Sequence, residues 1–221
     1  KAYHVNGFAH PRLLSFTKAG AASAPWSVEG LEWGLIPFWV KDGVQAVQIA
    51  NNTLNARIET LLEKPSFRAA ARYRRCLIYV DGFFEHQHRK GKRFPFFIRQ
   101  KDSEVMCLAG VYEDWTDQLT GEIKRTCSIV TTKGYGEMKS IHNNPKLPEP
   151  RMPLILSQEN QEEWLVAENQ GSILEKKFRH LANEVKDVSL VAHEVRPIRG
   201  KSASANNEEA WKPVPTQSSL F

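Results

Sequence analysis

Along the 221-residue chain, apolar and polar positions fall into short blocks of changing period, and most blocks read as strands. Leu31 to Ile36 is an apolar run ended by Pro37, and from Leu54 to Thr60 the apolar Leu54, Ala56 and Ile58 alternate with Asn55, Arg57 and Glu59. A period of two sends successive side chains to opposite faces, so both segments are expected as strands, the second with three polar groups on one face. Pro65 suits the first position of a helix. Behind it, Phe67, Ala70 and Ala71 set against Arg68, Arg72 and Arg75 predict a short helix with one apolar and one cationic side. Five β-rich runs follow: Cys76 to Val80, Phe83 to Arg89, Arg93 to Arg99, Val105 to Trp115 and Glu122 to Thr132. Turn-rich breaks at Asp81-Gly82, Lys90-Gly91 and Thr116 to Gly121 part them, a spacing that predicts an antiparallel barrel or curled sheet.

Farther on, the pattern predicts a helical segment over Gly136 to His142, a proline-rich loop over Asn143 to Pro150 and a strand over Met152 to Leu156. Helices near Glu159 to Glu168 and Ile173 to Glu184 precede a last alternating strand from Asp187 to Val195. The expected class is α+β: a β-dominated, curled antiparallel barrel-like sheet with flanking helices. Residues 1–196 are expected to form one domain. Residues 197–221, with three prolines and four serines and little apolar periodicity, are expected as an extended C-terminal tail that Trp211 can dock.

Composition narrows the class. With 41% hydrophobic and 25% charged residues, the chain can bury about 70% of its unfolded surface, as a folded domain of this length does. The longest apolar run, Leu31 to Val40, is interrupted by Gly34 and Pro37 and is half the length a bilayer requires, so no membrane segment is expected. Cys76, Cys107 and Cys127 are odd in number, lack CxxC spacing and lie in strand-like runs. That argues against a disulfide framework and a zinc site and for a reducing, cytoplasmic setting. The chain opens on Lys1 without a basic-then-apolar leader, and its natural start is expected to lie upstream.

The formal charge of +5 is unevenly placed. Between Lys64 and Lys101 stand eleven Lys and Arg against Asp81 and Glu85, a local excess of +9, while the rest of the chain carries −4. Phe67, Tyr73, Tyr79, Phe83, Phe84, Phe94, Phe96 and Phe97 run through the same stretch. Cations interleaved with rings fit a groove for single-stranded nucleic acid, where bases stack and phosphates are neutralised; a solvated face over core aromatics is the alternative.

Three side chains carry candidate chemistry. Asn55 shares a strand face with Arg57, placing an amide that donates and accepts beside a guanidinium that can fork onto a phosphate; an exposed strand edge fits equally. Glu85 follows two phenylalanines, and a carboxyl among apolar rings has its pKa raised, as a general acid requires, unless it is solvated on the sheet. His142 ends a helical segment, where an imidazole can exchange protons near neutral pH or simply face solvent. The remaining histidines show no ligand spacing beyond an i, i+2 pair, so neither a metal nor a cofactor is expected. No GxSxG elbow marks a serine hydrolase.

Taken in order, Trp33-Gly34-Leu35-Ile36-Pro37-Phe38-Trp39, Asn55-Ala56-Arg57-Ile58-Glu59-Thr60, Lys64-Pro65-Ser66-Phe67-Arg68, Arg75-Cys76-Leu77, Asp81-Gly82-Phe83-Phe84-Glu85, Leu108-Ala109-Gly110-Val111-Tyr112, Ile129-Val130-Thr131-Thr132, Ile141-His142 and Arg151-Met152-Pro153-Leu154-Ile155-Leu156 resemble the SRAP family, the SOS-response-associated peptidases that process abasic sites. The likeness runs from about Leu31 to Leu165. It implies a barrel-like sheet and capture of abasic single-stranded DNA as a covalent crosslink by a cysteine directly after the initiator methionine, with no obligate protein partner. By position, it implies Asn55, Glu85 and His142 as the active-site residues and Phe38, Trp39, Arg57, Thr131 and Arg151 as DNA contacts. Three departures stand out. The N-terminal cysteine lies outside the sequence, His86 stands where the family places an aromatic, and the eight residues Asn143 to Pro150 part His142 from Arg151. A non-catalytic single-stranded nucleic-acid binding module and a cysteine peptidase acting on other proteins are the competing classes.

Overall fold

A computed structural model of the chain describes residues 2–18, 26–166, 171–198, 200 and 206–215. Its first strand, β1 (Arg12–Lys18), buries Leu13, Ser15 and Thr17 and exposes Arg12, Leu14 and Lys18. Here the inward face is partly hydroxylic. Ser15 donates to the Leu13 carbonyl at 3.1 Å and Thr17 to Glu29 Oε1 at 2.7 Å, so the buried polar groups are satisfied. Next come β2 (Trp26–Trp33), α1 (Gly43–Asn52), β3 (Asn55–Arg57) and α2 (Arg68–Tyr73). The chain then forms β4 (Arg75–Val80), β5 (Phe83–Arg89), β6 (Lys92–Gln100), β7 (Met106–Thr116) and β8 (Ile123–Lys133). It ends with α3 (Met138–Ile141), β9 (Arg151–Pro153), α4 (Gln158–Val166), α5 (Gly171–Glu184) and β10 (Leu190–Glu194).

Strands β2, β1, β4, β7 and β8 hydrogen-bond in that order, and β8 returns to β2 through Glu32 with Thr126 and Trp33 with Cys127. Five strands thus close into a barrel, which removes the free edges an open sheet would expose. The closing pair is parallel, whereas the other four pairings around the barrel are antiparallel. Leu31, Ile78, Leu108, Val111 and Val130 fill the core with almost no exposure, and α4 and α5 cover it with Trp164, Leu174 and Phe178. Trp164 Nε1 donates to the carbonyls of Cys76 and Gly110, both at 3.1 Å, tying α4 to the barrel. A second sheet, ordered β10, β6, β5, stands apart from the barrel path.

The structure adds β1 and α1 to the expected elements and shifts others. The strand expected at Leu31 to Ile36 begins earlier and ends at Trp33. The strand expected from Leu54 to Thr60 becomes the three residues of β3 followed by a 3-10 turn, Ile58–Thr60. The helix expected from Pro65 starts at Arg68. The tail expected over 197–221 contains, among its described residues, a 3-10 turn at Glu208–Trp211. The basic stretch is also thinner than its count. Arg75 is buried, donating to the Trp164, Ala71 and Arg72 carbonyls, while Arg74 pairs with Glu113 at 2.6 Å and Arg89 with Glu194.

Candidate active site

Trp33 and β8 place β3. Trp33 Nε1 donates to the Leu54 carbonyl at 2.8 Å, and the Ile129 amide donates to the same carbonyl at 3.1 Å. From there β3 runs parallel to β8, Asn55 beside Ile129 and Arg57 beside Thr131. Ala56 turns into the core, so Asn55 and Arg57 emerge on one exposed face, as the alternation predicts. On the other edge of β8, β9 pairs Pro153 with Thr131 and Arg151 with Lys133. The Arg151 guanidinium is buried and reaches across: it donates to both Glu59 oxygens at 2.8 and 2.9 Å and to the Thr131 carbonyl at 2.9 Å. This two-pronged contact is the strongest form of such a pair. Burial pushes Glu59 upward, but the Arg151 hydrogen bonds and charge outweigh it and hold the carboxyl below its ordinary 4.5. Arg151 Nε is buried with no partner among the described residues.

Glu85 comes from the second sheet. At Gly82, just before β5, a Cβ would lie 2.4 Å from the Ile98 carbonyl oxygen and 2.6 Å from the Phe97 ring, so only glycine lets β5 start this close to β6. Three residues on, Glu85 is half-buried opposite Phe96. Its Oε1 accepts from the His86 amide at 2.6 Å, and its Oε2 lies 3.6 Å from His142 Nε2. His142 follows α3, and its Nδ1 accepts from the Arg151 amide at 3.0 Å. An accepting Nδ1 puts the proton of the neutral ring on Nε2, the nitrogen that faces Glu85. Burial raises the Glu85 pKa above 4.5, and the His86 amide, His142 and His88 offset this only in part.

The eight inserted residues do not separate His142 from Arg151. Asn143 clamps the open edge of β5, accepting from the His88 amide at 2.7 Å and donating to the His88 carbonyl at 3.0 Å. At the far end, the Pro150 carbonyl accepts from the Gly134 amide at 2.8 Å. The loop leaves and returns between these two anchors, delivering the Arg151 amide to the imidazole.

One cavity of about 1000 Å³ is lined by Asn55, Arg57, Glu85, Thr131, His142 and Arg151. Six sequence candidates from β3, β5, β8, β9 and the α3 terminus therefore share one space. Phe38 and Trp39 do not line it. They sit, exposed, in a turn closed by the Val40 amide on the Pro37 carbonyl at 3.1 Å, and Trp115 Nε1 fixes that turn through the Val40 carbonyl at 2.7 Å. Sequence reasoning missed Arg12, Arg93 and the segment Ala2 to Val5 in the cavity wall. Arg93 lay in the basic stretch but had no motif around it; the Ala2 to Val5 segment carried no signal. All three cysteines are buried, and burial pushes their thiols up, Cys107 to about 12, which removes them as thiolate nucleophiles near neutral pH. Among the described residues no group of three or more His, Cys, Asp or Glu could hold a metal ion, and no helix is long and apolar enough to cross a membrane.

The Arg151 pair gives a direct test of this frame. Removing one partner of a buried pair costs several kcal/mol, but Glu59 is partly exposed, so Arg151→Gln should lower stability by about 1–2 kcal/mol. For a chain this long that is a fall of about 2–8 °C in Tm, which thermal unfolding would register. Arg151→Lys should not restore it, because an ammonium cannot make the two-pronged contact. An unchanged Tm would show that the pair does not hold the site together.

Residues 9–200 match the family model described as SOS response associated peptidase (SRAP). The chain is 42% identical over 140 residues to abasic site processing protein YoqW of Bacillus subtilis, covering 63% of this chain and 57% of that protein. It is 30% identical over 177 residues to abasic site processing protein HMCES of Gallus gallus, covering 70% and 50% respectively. An X-ray crystal structure of a protein from Bacteroides thetaiotaomicron is similar with a TM-score of 0.79 and 32% identity, over 96% of this chain and 85% of that one. The chain spans about half the length of the curated relatives it matches. A family match over most of the sequence, on a barrel whose cavity gathers the motif residues, establishes that the chain belongs to the SOS response associated peptidase (SRAP) family.

Proposed function

We propose that this protein processes abasic sites by binding single-stranded DNA and crosslinking to the damaged sugar through a cysteine at its native N-terminus. The observation that carries this is the convergence of Asn55, Glu85 and His142 on one cavity whose wall also contains the segment from Ala2 to Val5. A nucleophile borne at the native N-terminus, upstream of these residues, needs such a path into the site. The names of YoqW and HMCES as abasic site processing proteins support the same reading.

The chemistry balances without a cofactor. An abasic sugar opens from its cyclic hemiacetal to an aldehyde when a proton reaches the ring oxygen and the anomeric hydroxyl loses its own, and Glu85 is suited to supply that proton because burial raises its pKa. The α-amine of the cysteine adds to the aldehyde carbon, and loss of one water gives an imine. The thiol sulfur then closes onto that carbon while its proton passes to the nitrogen, forming a thiazolidine; one water leaves overall and nothing is oxidised or reduced. Asn55 can orient the adduct by donating and accepting at once. His142, with Nε2 toward Glu85, can relay a proton beside the sugar. Arg57 offers an exposed guanidinium to a phosphate, and Arg151 Nε offers one buried donor. The peptidase name fits one hydrolysis, removal of the initiator methionine, which frees the amine.

Incubating the full-length protein, native start included, with single-stranded oligonucleotides and separating the products on a denaturing gel tests the proposal. A slower band is expected only with the oligonucleotide that carries an abasic site. No denaturant-resistant band on any DNA, with binding intact, would leave a non-catalytic binding module.

A further inference from the structure

Two stretches 200 residues apart in sequence meet beside the cavity. Asn206 Oδ1 accepts from the backbone amides of both Tyr3 and His4, at 2.8 and 2.9 Å, so one side chain fixes two successive peptide units at the chain's start. Five residues on, the Trp211 ring stands edge-on to Tyr3 with centroids 5.2 Å apart, and it also lines the cavity. This C-terminal stretch is itself anchored to the second sheet. The Trp211 carbonyl accepts from His193 Nε2 at 2.6 Å, its ring packs on Phe97 at 5.7 Å, and Pro213 bridges to Val195 while the Val214 amide donates to the Glu194 carbonyl at 2.9 Å. Asn207 caps the turn that presents Trp211, accepting from the Glu209 amide at 3.0 Å. His4 stacks edge-on against Phe84 at 5.2 Å, one residue from Glu85. The N-terminal segment is therefore gripped between β5 on one side and the stretch from Asn206 to Pro213 on the other.

We propose that Asn206 and Trp211 are positioning residues: the C-terminal stretch is a clamp that holds the N-terminal segment against the cavity and so sets where an N-terminal nucleophile meets the sugar. The catalytic half of this rests on the function proposed above; the clamp itself rests on the contacts just given. Neither residue carries reacting groups. Their effect runs through the backbone at Tyr3 and His4, which leads to the native N-terminus, where a displacement of about 1 Å is enough to cost about 10²-fold in rate.

Three versions of the full-length protein decide it: the parent, Asn206→Ala and Asn206→Asp. Asn206→Ala should slow single-turnover crosslinking to abasic single-stranded DNA about tenfold or more. It should leave the affinity for undamaged single-stranded DNA unchanged, and hydrogen exchange at the Tyr3 and His4 amides should accelerate. Asn206→Asp keeps an acceptor oxygen at the same place and should restore both rate and protection, which a general loss of folding would not allow. Trp211→Ala should act in the same direction as Asn206→Ala. A parent-like crosslinking rate in Asn206→Ala would overturn the positioning role, and unchanged exchange at Tyr3 and His4 would overturn the clamp. A parent protein that forms no crosslink would instead sink the function proposed above, and accelerated exchange in Asn206→Ala would then still support the clamp.

Discussion

Glu85→Gln should slow crosslinking to a pre-formed abasic site by about 10²-fold or more under single-turnover conditions, the usual size of a lost general acid, while single-stranded DNA affinity stays close to the parent's. Glutamine keeps the shape and the place on β5 and loses the proton. The direction of the Glu85 shift adds a pH signature. Burial holds its pKa above 4.5, so the parent keeps its acid form to higher pH than a solvated carboxyl would, and its rate should decline as pH rises through that raised value. The glutamine variant should lack that decline. Stability follows with a definite sign. A folded pKa above the unfolded one contributes stability that is complete below 4.5 and lost as pH rises through the raised value. Glu85→Gln should therefore gain Tm relative to the parent on going from about pH 4 to about pH 7. A variant that crosslinks at the parent's rate would remove Glu85 from the mechanism, and a matching pH response in both proteins would show that the carboxyl is solvated.

Affinity for single-stranded DNA should fall steeply with salt. Each phosphate neutralised on a single strand contributes a slope of about −0.7 in log affinity against log salt, so four to six contacts predict a loss of about 10²-fold between about 50 and 200 mM. Arg12, Arg57 and Arg93 in the cavity wall are cations that can make such contacts, and Lys64 and Arg68 of the basic stretch are exposed as well. Arg57→Ala should weaken binding by a similar factor on every sequence and reduce the slope by about 0.7, the mark of one lost phosphate contact. Arg75→Ala should behave differently. It removes a buried donor to three carbonyls, so its effect should appear as lost stability and not as a changed slope. An affinity indifferent to salt, or an Arg57→Ala slope equal to the parent's, would mean that these cations form a solvated face.

Particular residues show why some of this was legible in the sequence and some was not. The strands β4 to β8 stood out because their apolar runs are long and their turns carry Asp81-Gly82 and Lys90-Gly91, local signals that need no tertiary partner. β1 was hidden because two of its three inward positions are Ser15 and Thr17, hydroxyls that the barrel satisfies by hydrogen bonds invisible in a hydropathy pattern. α1 was hidden for the opposite reason: Val44 and Val47 are exposed while Ala46 and Ala50 are buried, so apolar residues lie on both faces and blur its period. Barrel closure by β2 on β8, and the seating of β3 on that same strand, depend on pairings between segments some 75 to 95 residues apart, which no local pattern encodes. In the site, the alternation around Asn55 and Arg57 fixed their shared face, and Glu85 among phenylalanines announced its raised pKa. The hold of Arg151 on Glu59, and the return of the inserted loop to His142, could be known only from the fold.

The native N-terminus is proposed to react with the abasic sugar inside the cavity lined by Asn55, Glu85 and His142. Proteolysis of the crosslinked full-length protein, followed by mass spectrometry of the DNA-bearing peptide, tests it most directly. The expected peptide is the N-terminal one, carrying the sugar with the loss of a single water and resistant to reduction because a thiazolidine has no imine left to reduce. Attachment to a peptide containing Cys76, Cys107, Cys127 or an internal lysine would contradict the account.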